Sequence, residues 1–333
     1  LAARIAVFGA GSWGTALAVL LANNGHEVTL WGRNPGRMNA MRAEGRNVHY
    51  LPDTGFPSSL TPTADLEQAL RGAELALVVV PSEAFRDFLQ ELASRIRSGL
   101  PVVWATKGLE SASGKLLHQV AGEELGERPT AVISGPTFAR EVAAGLPTAI
   151  TAASRSQALA VRLADLLHSE TFRVYTSTDV VGVETGGALK NVLAIAAGVA
   201  DAQGFGANAR AALITRGLVE IVRLGERLGG HRDTFVGLAG LGDLVLTCTD
   251  DQSRNRRFGL ALGRGQGVEQ ALEEIGQVVE GMRTARIASV LARRNGVEMP
   301  ICEQVYRVVY EGVPAREAVH ALLLREQKPE DAE

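Results

Sequence analysis

Cysteine is nearly absent from this chain: two occur in 333 residues, Cys248 and Cys302. They stand far apart with no CxxC partner, which argues against a disulfide framework or a zinc site and makes a reducing, cytoplasmic compartment the default. The six histidines are scattered, with no HxxxH or HxH pair. No metal is expected on that count, although carboxylate sites stay open. Neither sign of charge dominates. Against 37 acidic side chains there are 34 basic ones, a net charge of −3, so the basic excess of a nucleic-acid or acidic-membrane binder is missing. No apolar run reaches the ~18–20 residues needed to span a bilayer. The chain goes straight into a strand-like run, Arg4 to Phe8, with no basic segment and cleavage site ahead of it. Lysine is scarce too: Lys107, Lys115, Lys190 and Lys328 are the only four, and every other basic residue is Arg. Where Arg serves for fixed charge, a retained Lys points to an amine that must be able to lose its proton. Genome base composition produces the same bias.

What is present is a foldable chain. Hydrophobic residues make up 46% and charged residues 21%, enough to build a sizeable core, and the length favours two domains. Residues 4–8 form a β-branched run, followed at once by Gly9-Ala10-Gly11-Ser12-Trp13-Gly14. Residues 15–23 read as a helix ended by Asn24-Gly25, and Glu27 to Trp31 as a second strand. Strand, glycine turn, helix and strand within about thirty residues is the context that separates a dinucleotide fingerprint from a chance GxGxxG. Gly9 then makes the tight turn, Gly11 lets a pyrophosphate approach the backbone, and Gly14 lets helix pack on strand. The helix N-terminus offers free N–H groups and the positive dipole end to the phosphates. A strictly NAD-dependent fold carries Asp or Glu about twenty residues past the glycines. Here Trp31-Gly32-Arg33-Asn34 has no acid, and Arg33 suits a 2′-phosphate or stacking on adenine. NADP, or use of both cofactors, is favoured over strict NAD; the plainer reading is a solvated Arg at a strand end.

Further α/β units follow, with strands at Leu75–Val80, Val102–Ala105, Ala131–Ile133, Thr148–Thr151 and Phe172–Tyr175. Ligands of such sheets sit at the carboxyl ends of the strands, which puts Pro81, Lys107 and Gly135-Pro136-Thr137 around one crevice. From about residue 178 the texture turns helical, with 3.6-residue periodicity over 208–228, 256–263, 267–276, 281–295, 302–311 and 314–325. The expected organisation is a Rossmann-type α/β domain over 1–178, an all-α substrate-binding domain over 179–325 and a frayed tail over 326–333.

Three segments carry chemistry. Lys190 follows Gly186-Gly187 by one turn in an apolar helix; each glycine weakens a helix by about 1 kcal/mol relative to Ala, a cost that makes sense if something packs on the backbone there. Lys190 is then either a partly desolvated general base or a lysine whose stem packs while its head reaches water. Gly240-Leu241-Gly242-Asp243 is either a helix–helix turn with Asp243 as N-cap or a device that aims a carboxylate at a lysine or a substrate hydroxyl. Ser253-Arg254-Asn255-Arg256-Arg257 lies at a helix start and suits a phosphate, or is a solvated basic loop.

Together these pieces resemble the bacterial soluble NAD(P)-dependent glycerol-3-phosphate dehydrogenases. The matching motifs are GAGSWGT from Gly9, Tyr50-Leu51-Pro52, Ala105-Thr106-Lys107-Gly108, Ser134-Gly135-Pro136, Glu184-Thr185 through Lys190-Asn191, Gly240-Leu241-Gly242-Asp243-Leu244, Ser253-Arg254-Asn255 and Val278-Val279-Glu280-Gly281. They occur in the family's order over most of the chain. The resemblance implies a Rossmann-type domain followed by a helical domain like the C-terminal domain of 6-phosphogluconate dehydrogenase. It implies reversible reduction of dihydroxyacetone phosphate to sn-glycerol 3-phosphate for phospholipid synthesis. It makes Lys190 the proton acceptor of the oxidative direction, with Lys107 and Asp243 as further catalytic residues. Lys107, Gly135, Thr137, Asp243, Ser253, Arg254 and Asn255 match its substrate contacts. Ser12, Trp13, Arg33, Tyr50, Lys107, Ala139, Arg254, Val278 and Glu280 match its cofactor side. Thr137 departs from the family's usual Ser; it keeps the hydroxyl and adds a methyl. The expected partner is a small phosphate ester, with no nucleic acid and no membrane span, and a homodimer is left open. The competing readings are a sister dehydrogenase of a hydroxy acid, such as 6-phosphogluconate or ketopantoate, and a non-catalytic nicotinamide-binding sensor. The second leaves Lys190 and Asp243 unexplained.

Overall fold

The computed structural model describes residues 2–326, and the tail expected at 326–333 lies, but for Glu326, outside them. Among the described residues ten strands occur: β1 Arg4–Phe8, β2 Glu27–Trp31, β3 Arg46–Asn47, β4 Leu51–Gly55, β5 Leu60–Thr63, β6 Leu75–Val78, β7 Val102–Trp104, β8 Thr130–Ser134, β9 Thr148–Ala153 and β10 Phe172–Ser177. Eight form one sheet in the order β10-β9-β8-β7-β6-β1-β2-β5. β1 pairs in parallel with both β2 and β6, so the chain leaves β1 towards one edge and returns beside it towards the other. That reversal is the topological switch point where open α/β sheets bind ligands. β8 and β9 run antiparallel. The β3–β4 ribbon lies outside the sheet.

The central strands are continuous apolar runs because both faces are covered. Ile5, Val7, Leu75, Leu77 and Val103 pack on one core layer with the helix Ser12–Asn23. The alternate residues Ala6, Phe8, Ala76, Val78 and Trp104 pack on the other, with Phe85 and Phe88. This period-two alternation of neighbours is what a three-layer α/β sandwich demands.

By compactness the chain forms two units: Leu1–Gly187 with Leu228–Asp243, and Ala188–Arg227 with Leu244–Glu333. The change of texture at 178/179 marks the last strand, since β10 ends at Ser177 and a 23-residue helix runs from Val180 to Ala202. The unit division falls inside that helix because the residues around Gly186 and Gly187 pack on the sheet-bearing unit. The second unit holds no strand among the described residues. Helix Val180–Ala202 is long and apolar enough to cross a membrane by length and composition alone, but nearly all of it is buried inside the protein. It also carries Glu184, Lys190 and Asn191, so it is a core helix.

Candidate active site

The glycine turn joins β1 to the helix Ser12–Asn23 at the switch point. Gly9 has φ +120°, and a Cβ there would overlap the Val79 carbonyl just past β6; only glycine fits both demands. A Cβ on Gly14 would overlap the Gly9 carbonyl, which is how close the helix sits to the turn. Gly11 is the opposite case, with nothing within 4 Å of where its Cβ would be. Buried Asn47 ties the turn down, donating to the Ala10 carbonyl at 3.2 Å and to Thr15 Oγ1 at 2.8 Å. Its own Oδ1 accepts from the Tyr50 N–H at 3.3 Å. The buried Trp13 Nε1 has no hydrogen-bond partner. Trp13 and Ala139 pack on the same core layer. Arg33 is exposed between the end of β2 and Asn34, which caps the next helix. An open Gly11 at a helix start, beside an unsatisfied indole N–H, fits a dinucleotide's phosphates and polar edge.

A second group lies at the carboxyl ends of β7 and β8. Lys107 Nζ donates to the Gly135 carbonyl at 3.0 Å and meets Asp243 Oδ2 at 2.6 Å. Thr137 Oγ1 donates to the same carbonyl at 3.2 Å. Asp243 is fully buried and 136 residues from Lys107. It is not an N-cap: its φ of −70° and ψ of −31° are helical. A wide turn, Leu238–Gly242, with the Gly242 N–H bonded to the Gly237 carbonyl at 3.1 Å, feeds directly into helix Asp243–Thr249. Such five-residue turns re-aim a helix and recur at functional sites. Gly186 and Gly187 are also explained: a Cβ would sit 2.7 Å from the Ala239 carbonyl oxygen in one and 2.6 Å from Ser134 Oγ in the other. One turn earlier, buried Glu184 accepts from Trp104 Nε1 at 2.9 Å and from the His118 N–H at 3.0 Å, and pairs with His118 Nδ1 at 2.7 Å. It fastens the head of the lysine helix to the end of β7.

The third group belongs to the helical unit. Lys190 is 6% exposed, which sets aside the reading in which its head reaches water. Its Nζ donates to buried Thr247 Oγ1 at 2.8 Å. Beside it, Asn191 Oδ1 accepts from Asn255 Nδ2 at 2.9 Å, and Asn255 Oδ1 accepts from the Gly281 N–H at 2.9 Å. That bond brings the start of helix Glu280–Asn295, whose first residue is Glu280 and which exposed Val278 precedes, to the Ser253-Arg254-Asn255 turn. Ser253 caps helix Arg254–Gly263, its Oγ accepting from the Arg256 N–H at 3.2 Å. Half-buried Arg254 stands at that N-terminus and reaches Gln277 Oε1 at 3.4 Å.

Sequence reasoning missed Asn47 and Thr247 as site-building residues, placed Arg256 only in the phosphate-type cluster and gave Glu184 no role beyond its motif. Thr247 lay in view next to Asp243, but its bond to Lys190 spans 57 residues and leaves no local signal. Among the described residues no group of His, Cys, Asp or Glu is arranged to hold a metal ion.

Comparison with known proteins gives the family and the fold. A family model described as the N-terminus of NAD-dependent glycerol-3-phosphate dehydrogenase matches residues 4–160, and its C-terminal counterpart matches residues 179–320. The chain is 62% identical to a glycerol-3-phosphate dehydrogenase (NAD(P)+) from Thioalkalivibrio sulfidiphilus and 58% identical to one from Pseudoalteromonas translucida, each over 98% of both chains. It superposes on the crystal structure of glycerol-3-phosphate dehydrogenase from Coxiella burnetii with a TM-score of 0.94 and 48% identity, over 97% of this chain and 99% of that one.

Proposed function

The chain belongs to the NAD-dependent glycerol-3-phosphate dehydrogenase family, and from that premise we propose that it interconverts dihydroxyacetone phosphate and sn-glycerol 3-phosphate with a nicotinamide dinucleotide. A bound dinucleotide would supply the hydride to C2, or accept it in the oxidative direction. Everything else falls to the chain's own residues. The buried Lys190 ammonium, hydrogen-bonded to Thr247 at 2.8 Å, carries the reading. It gives its proton to the C2 oxygen as the carbonyl becomes an alcohol, and in reverse the neutral amine takes that proton back. Thr247 aims the amine. Lys107, held by Asp243 and the Gly135 carbonyl, stabilises negative charge developing on the substrate oxygens. Ser253, Arg254 and Asn255, with the helix N-terminus behind them, take the phosphate. Its binding energy fixes the reacting carbon in place. Gly135 and Thr137 shape the substrate pocket with Lys107.

The dinucleotide is taken by Gly9, Gly11, Ser12, Trp13 and Gly14, with Tyr50, Ala139, Val278 and Glu280 around it. Exposed Arg33 favours the 2′-phosphate of NADP while allowing NAD. The substrate is a small phosphate ester, and the setting is a reducing cytoplasm. The product feeds phospholipid synthesis.

The decisive assay follows nicotinamide absorbance with dihydroxyacetone phosphate, NADPH and NADH, for wild type and Lys190→Ala. The wild type is expected to turn over. The variant is expected to lose on the order of 10²–10⁴-fold in kcat while still binding the dinucleotide. A folded wild type that binds the dinucleotide but reduces no dihydroxyacetone phosphate would falsify the reading.

A further inference from the structure

The Ser253–Arg257 segment offers three arginines in a row of five residues, and the structure gives them different employment. Arg257 is exposed, and Arg254 stands half-buried at the helix start. The Arg256 side chain is only 9% exposed and faces inward. Its Nε donates to Asp251 Oδ1 at 2.9 Å, and its Nη1 donates to the Cys248 carbonyl at 3.2 Å and pairs with Asp201 Oδ2. Asp201, equally buried, also takes Arg210 through Nε at 3.0 Å. Burial works to lower the Arg256 pKa, and the Asp201 and Asp251 carboxylates outweigh it, so the guanidinium is held above its ordinary value.

Asp201 sits near the end of the lysine helix and Arg256 near the start of helix Arg254–Gly263. These two helices meet backbone to backbone. A Cβ on Gly198 would overlap the Arg256 carbonyl, one on Gly259 would overlap the Ile195 carbonyl, and one on Gly263 would lie 2.8 Å from the Val199 carbonyl oxygen. Glycine faces permit close approach but carry no knobs to set register. Register must come from directional polar bonds, and two of them fix the first turn of helix Arg254–Gly263 to well-separated points of the lysine helix: Asn255 to Asn191 at 2.9 Å and Arg256 to Asp201. At the far end Gln203, just past the lysine helix, donates to the Gly263 carbonyl. The same guanidinium also grips the Thr247–Ser253 connection through Cys248 and Asp251.

We propose that Arg256 and Asp201 are positioning residues for the substrate phosphate. Their buried pair holds the Ser253-Arg254-Asn255 turn in register with the lysine helix and does not itself touch the phosphate. This rests on the phosphate role given to that turn above.

The test compares Arg256→Lys, which keeps the charge and loses the fork, with the near-isosteric Asp201→Asn. Each is assayed with dihydroxyacetone phosphate and with phosphate-free dihydroxyacetone. A displaced phosphate site predicts that kcat/KM for the phosphate ester falls at least about tenfold in both variants. The phosphate-free ketone falls far less, and the double variant is no worse than the worse single one. The dissociation constant of inorganic phosphate, read by phosphorus NMR, rises by a similar factor in both. That readout needs no turnover, so it stands even if the wild type reduces no dihydroxyacetone phosphate, a result that sinks the reading above and not this one. A ratio of the two substrates at the wild-type value in both variants overturns the proposal. So does a collapse in Arg256→Lys alone, which would make Arg256 a direct phosphate ligand. A parallel loss on both substrates overturns it as well, since that is general damage. If Arg256→Lys does not fold, Asp201→Asn decides by the same criteria.

Discussion

The two units build polar sites in different ways. The α/β unit presents Lys107 from the loop after β7, and a charged bond to Asp243 at 2.6 Å pins it there. The helical unit presents its groups from helix faces, and the helices are brought into backbone contact by glycines. Lys190 reaches Thr247, and Asn191 reaches Asn255, from helix to helix, because the helices themselves are in place. A loop site is held by the strength of its bonds, a helix site by the closeness of its packing. The two should therefore break differently. All three tryptophans, Trp13, Trp31 and Trp104, lie in the first unit. Tryptophan fluorescence follows that unit, and far-ultraviolet circular dichroism weights the helical one.

The largest effect is expected from Lys107→Met. It removes the ammonium that pairs with the buried Asp243 carboxylate, and breaking a buried pair from one side costs about 3–5 kcal/mol; the fluorescence-detected urea midpoint should drop accordingly. Thr247→Val, the matching change at Lys190, should cost about 2 kcal/mol and act mainly on kcat. Equal losses from the two would erase the distinction between the units.

Next comes Glu220, buried in the helical unit. It accepts from the Ile301 and Cys302 N–H groups at 2.7 and 3.1 Å, at the start of helix Pro300–Tyr310. Burial pushes its carboxyl from 4.5 up to about 7, and pushes the Cys302 thiol up as well. Between those two pH values the folded chain holds a proton that the unfolded chain has released. Stability is therefore greatest below about pH 4.5, on this group's account, and falls as pH rises through about 7, by at most about 3 kcal/mol. Glu220→Gln should flatten that slope in urea titrations across the range; an unchanged slope would assign it to another group.

Glycine replacements sharpen the contrast at smaller cost. Gly259→Ala meets the Ile195 backbone and should destabilise the helical unit by about 1–3 kcal/mol, seen by circular dichroism. Gly14→Ala is equally tight against Gly9, but it distorts a turn whose purpose is to approach a ligand. Its clearest readout is weaker dinucleotide binding. The smallest effect belongs to exposed Arg33, whose replacement by Ala should shift the NADPH-to-NADH preference by about tenfold towards NADH. No shift would mean that the end of β2 does not select the cofactor.

Much of this molecule was legible along the chain. The glycine turn, the buried strands, the helical second half and the glycine pair before Lys190 are local patterns, and each appears in the structure within a few residues of where the pattern puts it. Legibility failed wherever two distant segments had to meet. The sequence left Asp243 as either an N-cap or a carboxylate aimed at a lysine, and only a contact across 136 residues resolved it. Likewise the sequence offered Arg256 to a phosphate as one of a cluster, and only Asp201, 55 residues away, shows it turned inward.

By itself, then, the sequence determined the residue types, the periodicities and the turns, because these follow from backbone sterics and burial over a dozen residues or fewer. Tertiary structure alone decided partnership. It determined which lysine meets a carboxylate, which arginine is spent inside the protein and which is left at a helix end, and what each glycine makes room for. The energies of those pairs depend on distance and desolvation in three dimensions, and neither quantity is written in the order of the residues.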